Sequence, residues 1–205
     1  MAGKVDHKRE LSCYSATRNT PQVVEVPDLR YLMIDGHGDP NTAAWTAAVS
    51  ALYPVAYRLR FTSKNDLGRD HVVMPLEGLW WADDMDAFTT ARDKTRWDWT
   101  LMIMIPDWIT HDMFAAAVDR VAMKNRPQRL ADLRLGTLSE GRCVQALHVG
   151  SYDDERDLLR HMHKEFIPAQ NLTAVGRHHE IYLSDPRRVE PARLRTILRQ
   201  PVSAG

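Results

Sequence analysis

Residues 177–185 read RHHEIYLSD, and this short run holds most of the chemistry the chain offers. The alternation is that of a strand, whose successive side chains point to opposite faces. Ile181 and Leu183 fall on one face, an ordinary core face. His178, Glu180 and Tyr182 fall on the other, which lines up an imidazole, a carboxylate and a phenol. On a face open to water these are three solvated polar residues. On a face lining a cavity, Glu180 is a desolvated anion that either takes up a proton or waits for a cation.

The elements that must hold this row can be read along the chain. Residues 29–35 (LRYLMID) form a strand, and 36–41 (GHGDPN) a turn with two glycines able to take positive φ. A helix follows over about 43–60, capped by Asn41 or Thr42 and kinked or broken at Pro54, with a loop at 64–70. Strands are expected at 71–81 and 97–105, separated by a charged loop at 83–95. Thr110 caps a helix over 111–125, and strands follow at 133–138 and 142–149. A turn containing Tyr152 leads to a helix over 154–166 that Pro168 ends. The strand at 172–185 contains Glu180, and a last strand at 194–199 stops at Pro201.

This order contains the same unit twice: strand, glycine turn, helix, strand, strand. The repeats cover about 22–125 and 132–201 and together form one domain. The expected architecture is α+β, a tandem β-α-β-β repeat with pseudo-two-fold symmetry. Helices cover one face of the sheet, and a ligand groove lies on the other. Aligning the third elements of the repeats sets Glu77 opposite Glu180. The groove face then carries Glu77, Leu79 and Trp81 from one half and His178, Glu180 and Tyr182 from the other. Trp97 and Trp99 share one face of their strand, Met102 and Met104 the opposite one, and either pair can line the groove. Tyr152, Trp97, Trp99 and Met102 complete the candidate ligand-binding set. Aromatic walls around a carboxylate suit a flat, lipophilic, cationic or polarised ligand, a cation over a ring gaining about 0.5–2 kcal/mol.

Composition narrows the partners. Lys+Arg and Asp+Glu balance at 27 each, so net charge gives no argument for nucleic acid or an anionic membrane. No apolar run approaches a membrane span, no export signal is seen, and a cytoplasmic setting is expected. Cys13 and Cys143 have no metal or redox spacing. His161 with His163, and His178 with His179, point to different sides, so neither pair suits a metal, and no cofactor is implied. Cys143 on its strand reads as a buried, inert thiol.

Several stretches together resemble the GyrI-like small-molecule-binding family in its stand-alone branch. They are residues 33–41 (MIDGHGDPN), 75–81 (PLEGLWW), 99–103 (WTLMI), 179–187 (HEIYLSDPR) and 194–199 (LRTILR). The likeness implies the tandem repeat with its groove, and binding of lipophilic, often cationic drugs, with Glu180 where an acidic residue meets the cation. No helix-turn-helix segment is recognisable, unlike in the related transcription regulators. Some stand-alone members resemble hydrolases that open the cyclopropane of DNA-alkylating natural products. By that resemblance, Glu180 would orient and deprotonate a water and Tyr182 would donate to the developing oxyanion, with Glu77 or His178 as a second polar group.

Overall fold

The computed structural model describes residues 3–82, 93–124 and 126–205. The chain folds into two compact units. The first comprises Met1–His7, Leu29–Met74 and Trp80–Leu138; the second comprises Lys8–Asp28, Pro75–Leu79 and Ser139–Gly205.

In the first unit, β2 (Leu29–His37) lies between β4 (Asp98–Ile105) and β5 (Arg134–Leu138), antiparallel to both. After a short first helix, α1 (His7–Glu10), the long helix α2 (Ala43–Leu67) packs on β2 and β4 and against α3 (His111–Lys124). Leu52, Val55 and Leu59 of α2 are buried, as are Leu32, Ile34, Leu101 and Ile103 of the two central strands. This helix runs seven residues past the expected end at 60, through most of the expected loop. Gly68 ends it at φ +67°, a left-handed cap that glycine adopts without strain. Ser63 Oγ then donates to the Arg69 carbonyl, and Asp70 takes the Arg60 guanidinium at 2.9 Å. The expected strand at 71–81 shortens to β3 (Leu76–Trp81), because Pro75 has no N–H to give a ladder. Most of the expected loop at 83–95 lies outside the described residues.

In the second unit the strand order is β1 (Gln22–Val26), β6 (Gly141–Val149), β9 (Arg195–Ala204), β8 (His178–Tyr182), then the start of β3. A helical segment covers β6 and β9: α4 (Arg156–His161), a π-helical turn (Met162–Phe166) and α5 (Ile167–Ala169). Leu158, Met162 and Ile167 bury against Val144, Ala146, Leu198 and Val202. The strand expected over 172–185 is two, β7 (Leu172–Ala174) and β8, split where Gly176 takes φ +65°. The last strand does not stop at Pro201 but runs to Ala204. Pro201 gives up one donor, yet its carbonyl accepts from Val175 N at 2.9 Å, and β7 pairs with β9 beyond it. In chain order, strand, helix, strand and strand occur as β2-α2-β3-β4, and again from β6 through α4 and α5 to β8 and β9, with the short β7 inserted ahead of β8. The fold is α+β, and β1–β6, β6–β9, β7–β9, β8–β9, β2–β4 and β2–β5 all pair antiparallel.

Candidate functional site

Strand β8 divides its side chains as the alternation requires: His179 and Ile181 are buried, while His178, Glu180 and Tyr182 are half-buried. Antiparallel register fixes which face each set takes, since directly opposed residues share a face. Glu180 pairs with Leu198, which sits under the helical segment; His179 pairs with Arg199 on the other face.

On the Glu180 face, Tyr182 Oη donates to Glu180 Oε2 at 2.7 Å. His178 Nε2 lies 3.4 Å from Glu180 Oε1, within ion-pair range but without hydrogen-bond geometry, and neither ring nitrogen of His178 makes a hydrogen bond. The ring of Tyr152 meets Tyr182 edge to face, with centroids 5.8 Å apart. Burial first, and the Glu155 carboxylate second, push the Tyr152 phenol up to about 12, so it keeps its proton at neutral pH. His178, Glu180, Tyr182 and Tyr152 thus form one constellation: a carboxylate with one oxygen on a phenol, the other towards an imidazole, and two tyrosine rings at its side. It can bind a cation through charge and ring faces, or hold and deprotonate a water.

Glu77 is fully buried and belongs elsewhere. Its Oε1 accepts from Tyr14 Oη at 2.6 Å and its Oε2 lies 3.0 Å from His179 Nε2. The structure therefore joins Glu77 to His179, on the face of β8 away from Glu180. His179 Nδ1 sits 3.0 Å from both oxygens of Glu140. Arg199 donates to Glu140 Oε2, to Gln145 Oε1 and to the Cys13 carbonyl, at 2.9, 3.1 and 2.6 Å. Carboxylates only accept, so an imidazole held between two of them carries both protons. Burial opposes that charge, but Glu140 and Glu77 outweigh it and raise the His179 pKa. Burial likewise opposes the Glu140 anion, and His179 with Arg199 override it, holding Glu140 down at about 2. Leu79 is buried, and so is Cys143, whose thiol burial and Glu140 push up to about 12.

The remaining candidates lie in the first unit. Trp97 and Trp99 join Trp80 and Trp45 in one cluster: Trp45 stacks on Trp80 at 5.3 Å, Trp99 meets Trp45 edge-on at 5.2 Å, and Trp97 meets Trp80 edge-on at 5.6 Å. Trp99 is fully buried and donates its Nε1 hydrogen to the Gly38 carbonyl at 3.1 Å. Gly36 is required by that ring: a Cβ there would fall inside the indole of Trp99. Of the two turn glycines, only Gly38 has positive φ, at +89°. Met102 is fully buried and Trp81 half-buried. Trp45, Trp80, Tyr14, Glu140 and Arg199 are not among the site residues expected from the sequence, and His179 figures there only as an unsuitable metal ligand. The one available signal was charge within otherwise apolar strands, as at Glu77 in LEGLWW and Arg199 in TILRQPV. Among the described residues no group of three or more His, Cys, Asp or Glu could hold a metal, and no helix is long and apolar enough to cross a membrane.

This α+β arrangement is that of a small-molecule-binding domain. The chain belongs to the GyrI-like family: the model of the GyrI-like small molecule binding domain matches residues 19–203. An uncharacterized conserved protein from Listeria innocua is 35% identical, with TM-score 0.90, over 98% of this chain and 100% of its own. A hydrolase from the same organism is 34% identical over the same shares of the two chains, with TM-score 0.85. The EcmrR C-terminal domain, 9% identical with TM-score 0.59 over 91% of this chain and 98% of its own, shares the fold alone. No curated protein matches the chain.

Proposed function

We propose that this chain binds flat, lipophilic aromatic small molecules, cationic ones among them, at Glu180, Tyr182, Tyr152 and His178. The observation that carries this reading is the half-buried Glu180 carboxylate, paired with a phenol and walled by two tyrosine rings. A cation there gains from the anion and from the ring faces together, and neither contact demands one ligand shape. Sequestering such compounds would protect a cell against them. Calorimetric titration with tetraphenylphosphonium tests the reading. Micromolar binding that weakens at least about tenfold in Glu180→Gln (~1.4 kcal/mol) supports it. Affinity unchanged by that substitution takes the cation away from Glu180, and no binding to wild type sinks the cationic class.

A second reading, hydrolysis, is favoured by the Tyr182–Glu180 hydrogen bond and by the likeness to a hydrolase at 34% identity. The substrate class would be strained cyclopropanes conjugated to a dienone, as in DNA-alkylating natural products. Glu180 takes the proton of a water aimed at the cyclopropane carbon. Tyr182 turns its hydroxyl to the carbonyl oxygen that gains negative charge as the ring opens. Glu180→Gln then abolishes formation of ring-opened product, while a neutral substrate still binds with little loss. Retained turnover in that variant removes Glu180 from the chemistry.

A further inference from the structure

The row on β8 continues onto the helical segment above it. His163 stands in the π-helical turn Met162–Phe166, with its ring centroid 6.4 Å from that of His178 and the planes 57° apart. The widened turn has a local cause in Pro168 of α5. A proline inside a helix lacks the N–H and crowds the carbonyl four residues back, and one π turn relieves both. Such turns recur at functional sites because they redirect side chains.

Three features tie this pair to Glu180. Both ring nitrogens of His178 are buried without a hydrogen bond. A neutral imidazole carries one donor and one acceptor, and leaving both idle inside a protein is costly unless they are used in turnover or by a ligand. Glu180 commits Oε2 to Tyr182 and turns Oε1 to His178 Nε2. His163 is half-buried, so it reaches solvent on its outer side. The other charged groups nearby are Lys164 beside His163, and Glu155 and Asp185 around Tyr152. Burial, with His178 adding to it, brings His163 down to about 4, so at neutral pH its ring offers a free lone pair.

We propose that His178 and His163 form a two-imidazole proton relay for Glu180, His178 exchanging a proton with Glu180 Oε1 and His163 linking His178 to solvent. The proposal rests on the hydrolytic reading above. In that reaction the water oxygen bonds to the cyclopropane carbon, the strained C–C bond breaks, and its electron pair moves to the dienone oxygen. The water proton passes to Glu180 and leaves through His178 and His163, while the dienone-derived oxygen takes up one proton. Water is the sole co-reactant, and nothing is oxidised or reduced. His178 and His163 are positioning and relay residues; Glu180 is the group that touches the reacting atoms.

Two measurements test the relay. Long-range 1H–15N spectra of the imidazole rings need no ligand. Glu180→Leu moves the ring-nitrogen signals of His178, and His163→Asn moves them too. Signals of His178 indifferent to either substitution overturn the relay. Turnover of a spirocyclopropyl cyclohexadienone in dilute buffer is the second readout. His163→Ala lowers kcat at least about tenfold with KM unchanged, and added imidazole restores most of it. A structural loss would not be rescued by imidazole, so a fall in kcat that imidazole leaves untouched, or no fall, overturns the relay. Wild-type protein that never turns over the probe defeats the hydrolytic reading by itself; the spectra still judge the relay.

Discussion

In the unit built on β4, β2 and β5, the large side chains lost from water include Trp99, Tyr31, Leu32, Ile34, Leu101 and Met102. In the unit built on β1, β6, β9 and β8, Arg199, His179 and Glu77 are buried just as completely. The first unit holds its centre by shape. Four indoles interlock, each ring pair adding about 0.5–1.5 kcal/mol beyond the area it buries. The second is packed apolar on one face of its sheet and held by pairing on the other, with two carboxylates set against an imidazolium and a guanidinium. A buried apolar group can be replaced by another of similar volume at small cost, whereas a buried charge that loses its partner is left without water or counter-charge. The contrast also bears on the site. The pinned face of β8 is the back of the strand whose front carries Glu180 and Tyr182.

The contrast breaks most readily at His179. His179→Leu leaves Glu77 and Glu140 facing each other's charge without the bridging cation. It should lower stability by about 3–5 kcal/mol in urea unfolding. A loss below about 1 kcal/mol would show that the network contributes no more than an exposed ion pair. Next in size is Gly36→Ala, which sets a methyl group where the Trp99 indole lies. Overpacking of that kind should lower stability by about 1–3 kcal/mol, and Gly36→Ala combined with Trp99→Leu should lose less than the sum of the two. Full additivity would mean that the glycine serves some other purpose.

The smallest effect is a pH dependence that is two-sided only in the paired unit. Glu140 titrates at about 2 in the fold against 4.5 ordinarily, so its contribution is whole above pH 4.5 and is lost as pH falls towards 2. His179 has a raised pKa, so its contribution is whole below its ordinary 6.5 and is lost as pH rises through the higher folded value. Hydrogen exchange followed against pH should show β8 and β9 weakening at both ends. The first unit should weaken on the acid side alone, where His71, which burial brings down to about 4, must take up a proton. An alkaline limb of equal size in both units would sever the link to His179.

Much of the scaffold was legible because secondary structure is written in short-range periodicity. The two-residue alternation of β8, the apolar runs of β2 and β4, and the strand–helix–strand–strand order all lie within a few residues of themselves. Where the reading slipped, a proline or glycine had an effect that only neighbours determine. Pro201 was expected to end a strand, and β9 passes it because Val175 and β7 use the backbone there. The helix after β2 was expected to end near 60, and it continues to a glycine cap eight residues on.

The sequence by itself determined which β8 residues share a face, because that alternation is a property of one extended strand. It also determined the balance of charge and the polar character of the row at His178, Glu180 and Tyr182. Only the tertiary structure decided which partner each group received. His179 meets Glu77 across 102 positions of chain, and Arg199 reaches the Cys13 carbonyl across 186. Those pairings follow from strand register and packing, which no local pattern encodes. For that reason Glu77 and Glu180, alike as letters in neighbouring strands, came to opposite faces and different work.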